Sequence, residues 1–311
     1  MSRSTSRHVT VIVPTQARRE RAAALRAAIE SVLAQDGVSV VPLIVVNGVR
    51  REPAIVERLL GDGRLRVVIS ETVGLPAALR AGRLAVDTPW FADLDDDDLL
   101  LPGALALRLD ALRARPDCHT VVTNGFRRRG SKDVRAPKDL DVAADPMRAL
   151  LRLNWFLPGS YLCRTDDVGA EIFQHMPRYL ERTYLALRLT MHGAILWLDQ
   201  PTVVNHVDTP DSESASRDSA LGQADALRRI LELELPRDVR EALRARIAPA
   251  CHSASELELR AGRLGEAVRW HVRSLREPGG WRYLPYTRHI LRRALTPSPS
   301  VGRQSVDLPR A

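Results

Sequence analysis

Over the first third of the chain, short apolar runs alternate with amphipathic stretches. Val9 to Val13, Val38 to Val46, Leu65 to Ile69 and Trp90 to Leu94 read as buried strands, since each is a short, largely apolar run. Between them, Ala22 to Ala34 sets Leu25, Ile29, Val32 and Leu33 on one helical face. Ile55 to Leu60 predicts a shorter helix, and Leu75 to Val86 carries Leu75, Ala78 and Leu79 at helical spacing. The order predicts an α/β fold, Rossmann-like, with a mostly parallel central sheet and right-handed crossovers. Ligands of such sheets sit beyond the carboxyl ends of the strands.

The pattern loosens after Pro102-Gly103. A helix to about Arg115, a strand over Thr120 to Phe126, a charged loop from Arg127 to Leu140, a strand over Gly159 to Arg164, a helix over Tyr179 to His192 and a strand over Ala194 to Leu198 are predicted. This less regular lobe is where an acceptor would be recognised. From Leu221 to about Leu295 the period is wholly helical, with Ser255 to Ala261 and Gly265 to Leu275 as a helical hairpin. The expected organisation is one domain over 1–215 with halves at 8–103 and 104–215, a helical region over 216–295, and a disordered tail over 296–311, which has turn and polar residues but no apolar period.

Composition narrows the class. A chain of 311 residues with 45% hydrophobic content fills one catalytic-sized domain and a helical annex. Cys118, Cys163 and Cys251 are odd in number and far apart, which argues against a disulfide framework or a zinc cluster and fits a reducing cytosol. The apolar segment after His8 is short and interrupted at Pro14, Gln16 and Arg18-Arg19-Glu20, so it reads as a first strand and not a signal peptide; no run is long enough for a transmembrane helix. The charge of +8 comes almost wholly from arginines spread along the chain, with Lys132 and Lys138 the only lysines. Such dispersion resembles a coding bias more than a basic patch, and no nucleic-acid partner is expected.

The acidic run Asp95-Asp96-Asp97-Asp98 follows the strand that ends at Leu94, placing four carboxylates at the ligand edge of the sheet. Their mutual repulsion needs compensation, and a divalent cation is the economical one. Mg²⁺ or Mn²⁺ accepts one or two protein carboxylates and completes its shell with substrate phosphates, which suits a sugar diphosphonucleotide. A calcium loop counted from Asp93 fails, because Asp98 stands where glycine is needed and Ala104 where glutamate is needed. A solvated helix cap calls for one aspartate and not four.

Several ordered motifs together resemble the glycosyltransferase family 2 enzymes of GT-A fold. Val11-Ile12-Val13-Pro14-Thr15 looks like the family's first strand and nucleotide-contacting turn, with Arg18 at a matching basic position. Ser31 to Gln35 is similar to its first-helix ending, and Ile44 to Gly48 to its second strand, with Asn47 where aspartate is usual. Gly74 to Gly82 is similar to its glycine-bounded helix, with Arg80 where asparagine is common, and Leu94 to Asp98 followed by Leu101-Pro102-Gly103 matches its DxD signature. The resemblance runs over about residues 8 to 210. It implies an inverting transfer of sugar from a nucleotide donor, usually a UDP-sugar, to a glycan, lipid-linked or other hydroxyl acceptor, as in cell-surface polysaccharide biosynthesis. By position, Pro14, Thr15, Arg18 and Asn47 would line the nucleotide pocket, Asp95 and Asp96 would meet the donor, and Asp95, Asp97 and His206 would hold the metal.

The resemblance places the general base in a Glu-Asp pair opening a second-lobe helix; here the pair reads Glu181-Arg182. Glu181 is the candidate base, against the alternative of a first-turn acid complementing the helix dipole; arginine cannot accept a proton. Trp155, Tyr161 and Trp197 read as core aromatics rather than sugar platforms. Two rivals are weighed. A sugar nucleotidyltransferase would need glycines after the first strand, which Pro14-Thr15-Gln16-Ala17 lacks. A catalytically degenerate protein that binds nucleotide or glycan is suggested by Asn47, Arg80 and Arg182. Near the end of the chain, Trp281, Tyr283, Leu284, Tyr286, Ile290 and Leu291 interleave with Arg282, Arg288, Arg292 and Arg293. The segment reads either as a packed helix with an arginine-covered outer face or as a peripheral contact with the inner face of an anionic membrane.

Overall fold

A computed structural model describes residues 6–136, 141–209 and 216–295; the tail over 296–311, Lys138, and the serines 212 and 214 beyond His206 lie outside them. Four parallel strands form one half of the sheet: β1 (His8–Thr15), β2 (Ser39–Asn47), β3 (Arg66–Ser70) and β4 (Trp90–Asp93), in the order β3-β2-β1-β4. They are joined by α1 (Ala22–Leu33), α2 (Pro53–Gly61) and α3 (Leu75–Ala85), as the apolar alternation predicts. The other half is mixed and continues past β4 as β8 (Tyr161–Arg164), β6 (Thr120–Arg129), β9 (Ile195–His206) and β5 (Leu99–Leu100), with β7 (Lys132–Ala136) paired to β6. Here α4 (Ala104–Ala114), α5 (Pro146–Arg152) and α6 (Glu181–His192) are the helices.

The central strands carry an apolar core on each face. Val9, Val11, Val13, Ile44 and Val46 meet Leu25, Ile29 and Val32 of α1, Ile55 and Leu59 of α2, and Leu105 and Leu109 of α4. Ile12, Leu43, Val45 and Phe91 face the opposite way onto Leu79 of α3, Tyr184 and Leu187 of α6 and the C-terminal helices. Each such side chain contributes about 1.5–3 kcal/mol on full burial, so the middle of the sheet is its firmest part. Gly82 of α3 packs where a Cβ would overlap the Ile12 side chain, which is why that helix lies so close to β1.

The C-terminal helices are α7 (Arg217–Ile230), α8 (Arg237–Arg244), α9 (Ile247–Arg260), α10 (Leu264–Arg276) and α11 (Tyr286–Leu295), with α9 and α10 forming the expected hairpin. Ser216 caps α7 by accepting the Ser219 N–H. Ala224, Leu227 and Ile230 of α7 join the same core as β1 and α6, so the annex packs directly on the sheet-bearing part. None of the described helices is long and apolar enough to cross a membrane.

Two expectations are corrected. The segment Arg127 to Leu140, expected as a charged loop, holds a hairpin of β6 and β7 turning at Gly130, whose φ of +56° suits glycine. The strand expected to stop at Leu198 continues as β9 to His206, past Asp199, Gln200 and Pro201, by way of an irregularity opposite Asn124. The longer strand carries His206 to the ligand edge.

Candidate active site

Three parallel strands end side by side, at Thr15 of β1, Asn47 of β2 and Asp93 of β4. Beyond them opens a cavity of about 530 Å³, and Pro14, Thr15, Arg18, Asn47, Asp95, Asp96, Asp97, Glu181 and His206 all line it. The residues singled out in the sequence thus meet in one place. The Thr15 hydroxyl donates to Asp96 (2.6 Å) and accepts from the Ala17 N–H (3.0 Å), which fixes a turn in which Ala17 has a φ of +49°. The Asn47 amide donates to the Gly74 carbonyl (3.0 Å), tying the end of β2 to the start of α3, where a φ of +111° requires glycine. Arg18 donates to Gln16 (2.5 Å), while Arg80 points outward, away from the cavity.

The acidic run alternates in burial. Asp96 and Asp98 turn inward, and Asp95 and Asp97 are partly exposed to the cavity. Asp98 accepts from the Asn205 amide (2.6 Å) and the His206 backbone N–H (2.9 Å), which anchors the run to β9. Burial raises its carboxyl well above the usual carboxylate range, and the charges of Asp95 and Asp97 add to the effect. Asp96 is also raised by burial, against the pull of Arg21 and the Thr15 hydroxyl.

Arginines supply compensation that the sequence alone did not reveal. Arg21 reaches Asp96 (2.5 Å) and Asp97 (2.9 Å). Arg182, at the start of α6, bridges Asp93 (2.5 Å) and Asp95 (2.7 Å). Asp93, at the end of β4, is fully buried; burial raises its carboxyl, while Arg182 opposes the rise. Burial alone would lower the Arg182 guanidinium, yet Asp93 and Asp95 together hold it raised and charged. Beneath lies Arg108, wholly buried, with no carboxylate in contact; it donates to Thr123, Thr202 and the Tyr161 carbonyl, and burial lowers it to about 9. The expectation that repulsion in the run needs a cation is therefore revised, because two guanidiniums already offset part of it. Among the described residues no three His, Cys, Asp or Glu side chains gather as a metal-ligand cluster.

Glu181 opens α6 at the cavity wall and accepts the Tyr179 backbone N–H (2.8 Å). Tyr179 and Leu180 just before it have φ values of +69° and +55°, a left-handed conformation that bulky residues rarely adopt. The Tyr179 ring lies against Gly222 of α7, where a Cβ would overlap it, so the annex helix presses on the loop that presents Glu181 and Arg182. His206 lines the cavity at the end of β9, and its buried Nδ1 has no hydrogen-bond partner among the described residues. Trp155 and Tyr161 are core, and Trp197 packs edge-on against Trp155 (5.8 Å).

Residues 10–164 match the model of glycosyl transferase family 2. The chain belongs to that family. Similar solved structures include S. aureus TarS 1-349 in complex with UDP-GlcNAc, with a TM-score of 0.56 at 13% identity, covering 85% of this chain and 80% of that one. TarS 1-349 in complex with UDP aligns with a TM-score of 0.50 at 15% identity, over 80% of this chain and 70% of that one. At these identities the likeness shows the fold, which is GT-A with C-terminal helices. No curated protein matches the chain in sequence. The family 2 glycosyltransferase uses a nucleotide-sugar donor, and the cavity at the strand ends is its candidate active site.

Proposed function

We propose that this glycosyltransferase transfers a sugar with inversion from a UDP-sugar to a hydroxyl of a glycan or lipid-linked acceptor. The observation that carries the reading is the placement of Glu181 on the wall of the same cavity that Thr15, Asn47 and the acidic run line. The nucleoside lies over Pro14, Thr15 and Asn47, with Arg18 beside its phosphates, and the diphosphate reaches Asp95 and Asp97. Glu181 takes the proton from the acceptor hydroxyl as that oxygen forms its bond to the sugar's anomeric carbon. The bond to the diphosphate breaks on the opposite face, which inverts the anomeric configuration. UDP-GlcNAc, the donor in the TarS complex, is the first donor to test.

The donor set fits a hard divalent cation. Asp95 and Asp97 turn to the cavity, and the His206 Nδ1, without a hydrogen-bond partner among the described residues, belongs to a residue on its wall. Asp95 and Asp97 would hold Mg²⁺ or Mn²⁺ together with phosphate oxygens of the donor, while His206, on the same wall, is not gathered with them into a three-residue ligand set among the described residues. When bound, the ion supplies Lewis-acid stabilisation of the departing nucleoside diphosphate. A reading of donor binding without transfer is favoured by one observation, the Arg182–Asp95 pair at 2.7 Å, which engages a donor-contacting carboxylate with an arginine. Titration calorimetry with UDP, with and without Mn²⁺, together with release of UDP from UDP-GlcNAc, tests both. Metal-enhanced binding with turnover supports transfer; binding without any turnover, whatever the acceptor, supports the non-catalytic reading; and no nucleotide binding refutes the site.

A further inference from the structure

The end of the annex is packed on one side and shows both arginines and apolar side chains on the other. In α11 and the 3₁₀ turn before it (Gly280–Tyr283), Ile290 is the one fully buried large apolar residue; it closes a small core with Leu259 and Ala267. On that side the segment is well fastened. His252 stacks on Tyr283 at 4.0 Å and meets Tyr286 edge-on at 4.7 Å, and His271 bonds to the Thr287 hydroxyl at 2.8 Å. On the other side Trp281 is 73% exposed, Leu284 56%, Leu291 57% and Leu295 83%. Arg288, Leu291 and Leu295 follow one another in α11 at spacings of three and four, which is one stripe of the helix, and Leu284 lies in the turn just before it.

Charge adds the second half of the argument. Arg282, Arg288, Arg292 and Arg293 fall within this segment, and from Pro278 to Leu295 the sequence has no Asp or Glu. A rigidly held helix that shows leucines and a tryptophan to water between arginines, without any acid, combines the two features that seat a helix in a lipid interface: apolar depth and attraction to anionic headgroups. A nucleic-acid backbone would reward the arginines but offers nothing for the leucines. We propose that α11 and the turn before it dock the enzyme on an anionic membrane surface, with Trp281 and Leu284 of the turn and Leu291 and Leu295 of the helix entering the headgroup boundary and the arginines on its phosphates. The face is linked to the active site through the annex, since α11 packs on α10, α10 on α9 and α9 on α7, and α7 lends Ser219 and Gln223 to the cavity wall. Docking would bring that cavity to a membrane that carries its acceptor.

The test is cosedimentation of the full chain with phosphatidylcholine vesicles, with and without phosphatidylglycerol. Three variants are compared with the parent: Leu284→Asp/Leu291→Asp, Arg288→Gln/Arg293→Gln and Trp281→Phe. The parent is expected to bind the anionic vesicles and not the neutral ones. The arginine pair is expected to weaken binding roughly 25-fold, since each basic group near such a surface contributes roughly fivefold. The leucine pair is expected to abolish binding while UDP affinity and melting temperature stay at the parent values, which separates failure of docking from failure of the donor site. Trp281 emission, obtained as the difference between parent and Trp281→Phe, should shift to shorter wavelength only with anionic vesicles. No binding to anionic vesicles, equal binding to neutral ones, or a Trp281 emission already at short wavelength without lipid because the face is covered by protein, would each overturn the proposal.

Discussion

Replacing Arg182 by alanine tests the electrostatic reading of the active site most directly. The substitution leaves Asp93, which is fully buried, without its nearest guanidinium, and removes the partner of Asp95 as well. Breaking a buried pair from one side costs about 3–5 kcal/mol, because the remaining charge is stranded. Two features place this case at the lower end. Arg108 still lies close enough for its charge to act on Asp93, and the Gly159 N–H still donates to it (3.3 Å). We therefore expect a loss of about 3 kcal/mol. With an unfolding entropy of about 2.1 cal/mol/K per residue over 311 residues, that corresponds to a fall in Tm of about 5 °C.

The loss should depend on pH with a definite sign. Burial already raises the Asp93 carboxyl in the presence of Arg182, and the variant raises it further. A carboxyl raised on folding keeps a proton that the unfolded chain releases, so stability declines as pH climbs from the unfolded value, about 3.9, through the folded one. The deficit of Arg182→Ala relative to the parent is thus expected to be small near pH 4 and full near pH 8, as followed by differential scanning calorimetry across that range. Adding Asp93→Asn removes the stranded charge and should recover at least half of the deficit near pH 8. A deficit that does not vary with pH, or a double variant no more stable than Arg182→Ala, would refute the argument.

Three further outcomes follow from the same geometry. Asp97→Asn should reduce the gain in UDP affinity on adding Mn²⁺ by at least about tenfold in calorimetry, because it removes one of the one or two carboxylates such a cation takes from the protein. Glu181→Gln keeps an oxygen to accept the Tyr179 N–H but cannot take a proton, so sugar transfer should fall about 10²–10⁴-fold while UDP affinity is retained. Gly222→Ala places a methyl against the Tyr179 ring and displaces the loop that presents Glu181; a loss of about ten- to a hundredfold in kcat/KM is expected from steady-state assays, with Tm read alongside.

Much of this architecture is legible in the residues. The short apolar runs place four parallel strands, because a strand buried on both faces has a signature that survives without its partners, and the amphipathic stretches between them place α2 and α3. The acidic run and Pro14, Thr15 and Asn47 stand out for the same reason, as each ends such a strand. What stayed hidden is long-range or too short. Arg21 and Arg182 meet carboxylates 75 to 89 positions away, and nothing near either residue marks it as a partner. Asp93 looked like a strand residue next to a louder cluster. The two residues of β5 cannot show a period, and Asp199-Gln200-Pro201 disguises β9 as two pieces. The β6–β7 hairpin did carry a signal, Gly130-Ser131 between charged alternating segments, but its arginines hid the strand pattern.

The acidic run divides its labour across a turn, closed by the Asp98 N–H donating to the Asp95 carbonyl (3.1 Å). Asp96 and Asp98 turn inward and are consumed in holding Thr15, Arg21, Asn205 and the His206 N–H, while Asp93 is consumed in holding Arg182. Only Asp95 and Asp97 remain to face a ligand, and two carboxylates are what a hard cation shared with a diphosphate takes from a protein. Both already meet an arginine, Asp97 through Arg21 and Asp95 through Arg182, the residue that stands in place of the second acid in the resemblance's Glu-Asp pair. That exchange has two consequences at once. On the proposed reading, proton abstraction is left to Glu181 alone. A cation, to gain Asp95, would compete with a guanidinium that Asp93 keeps fixed, which would couple metal affinity to the ion pair. Arg182→Gln should therefore increase the Mn²⁺ dependence of UDP binding even as it lowers stability, and a variant that lowers both would place Arg182 on the donor itself rather than in competition with the metal.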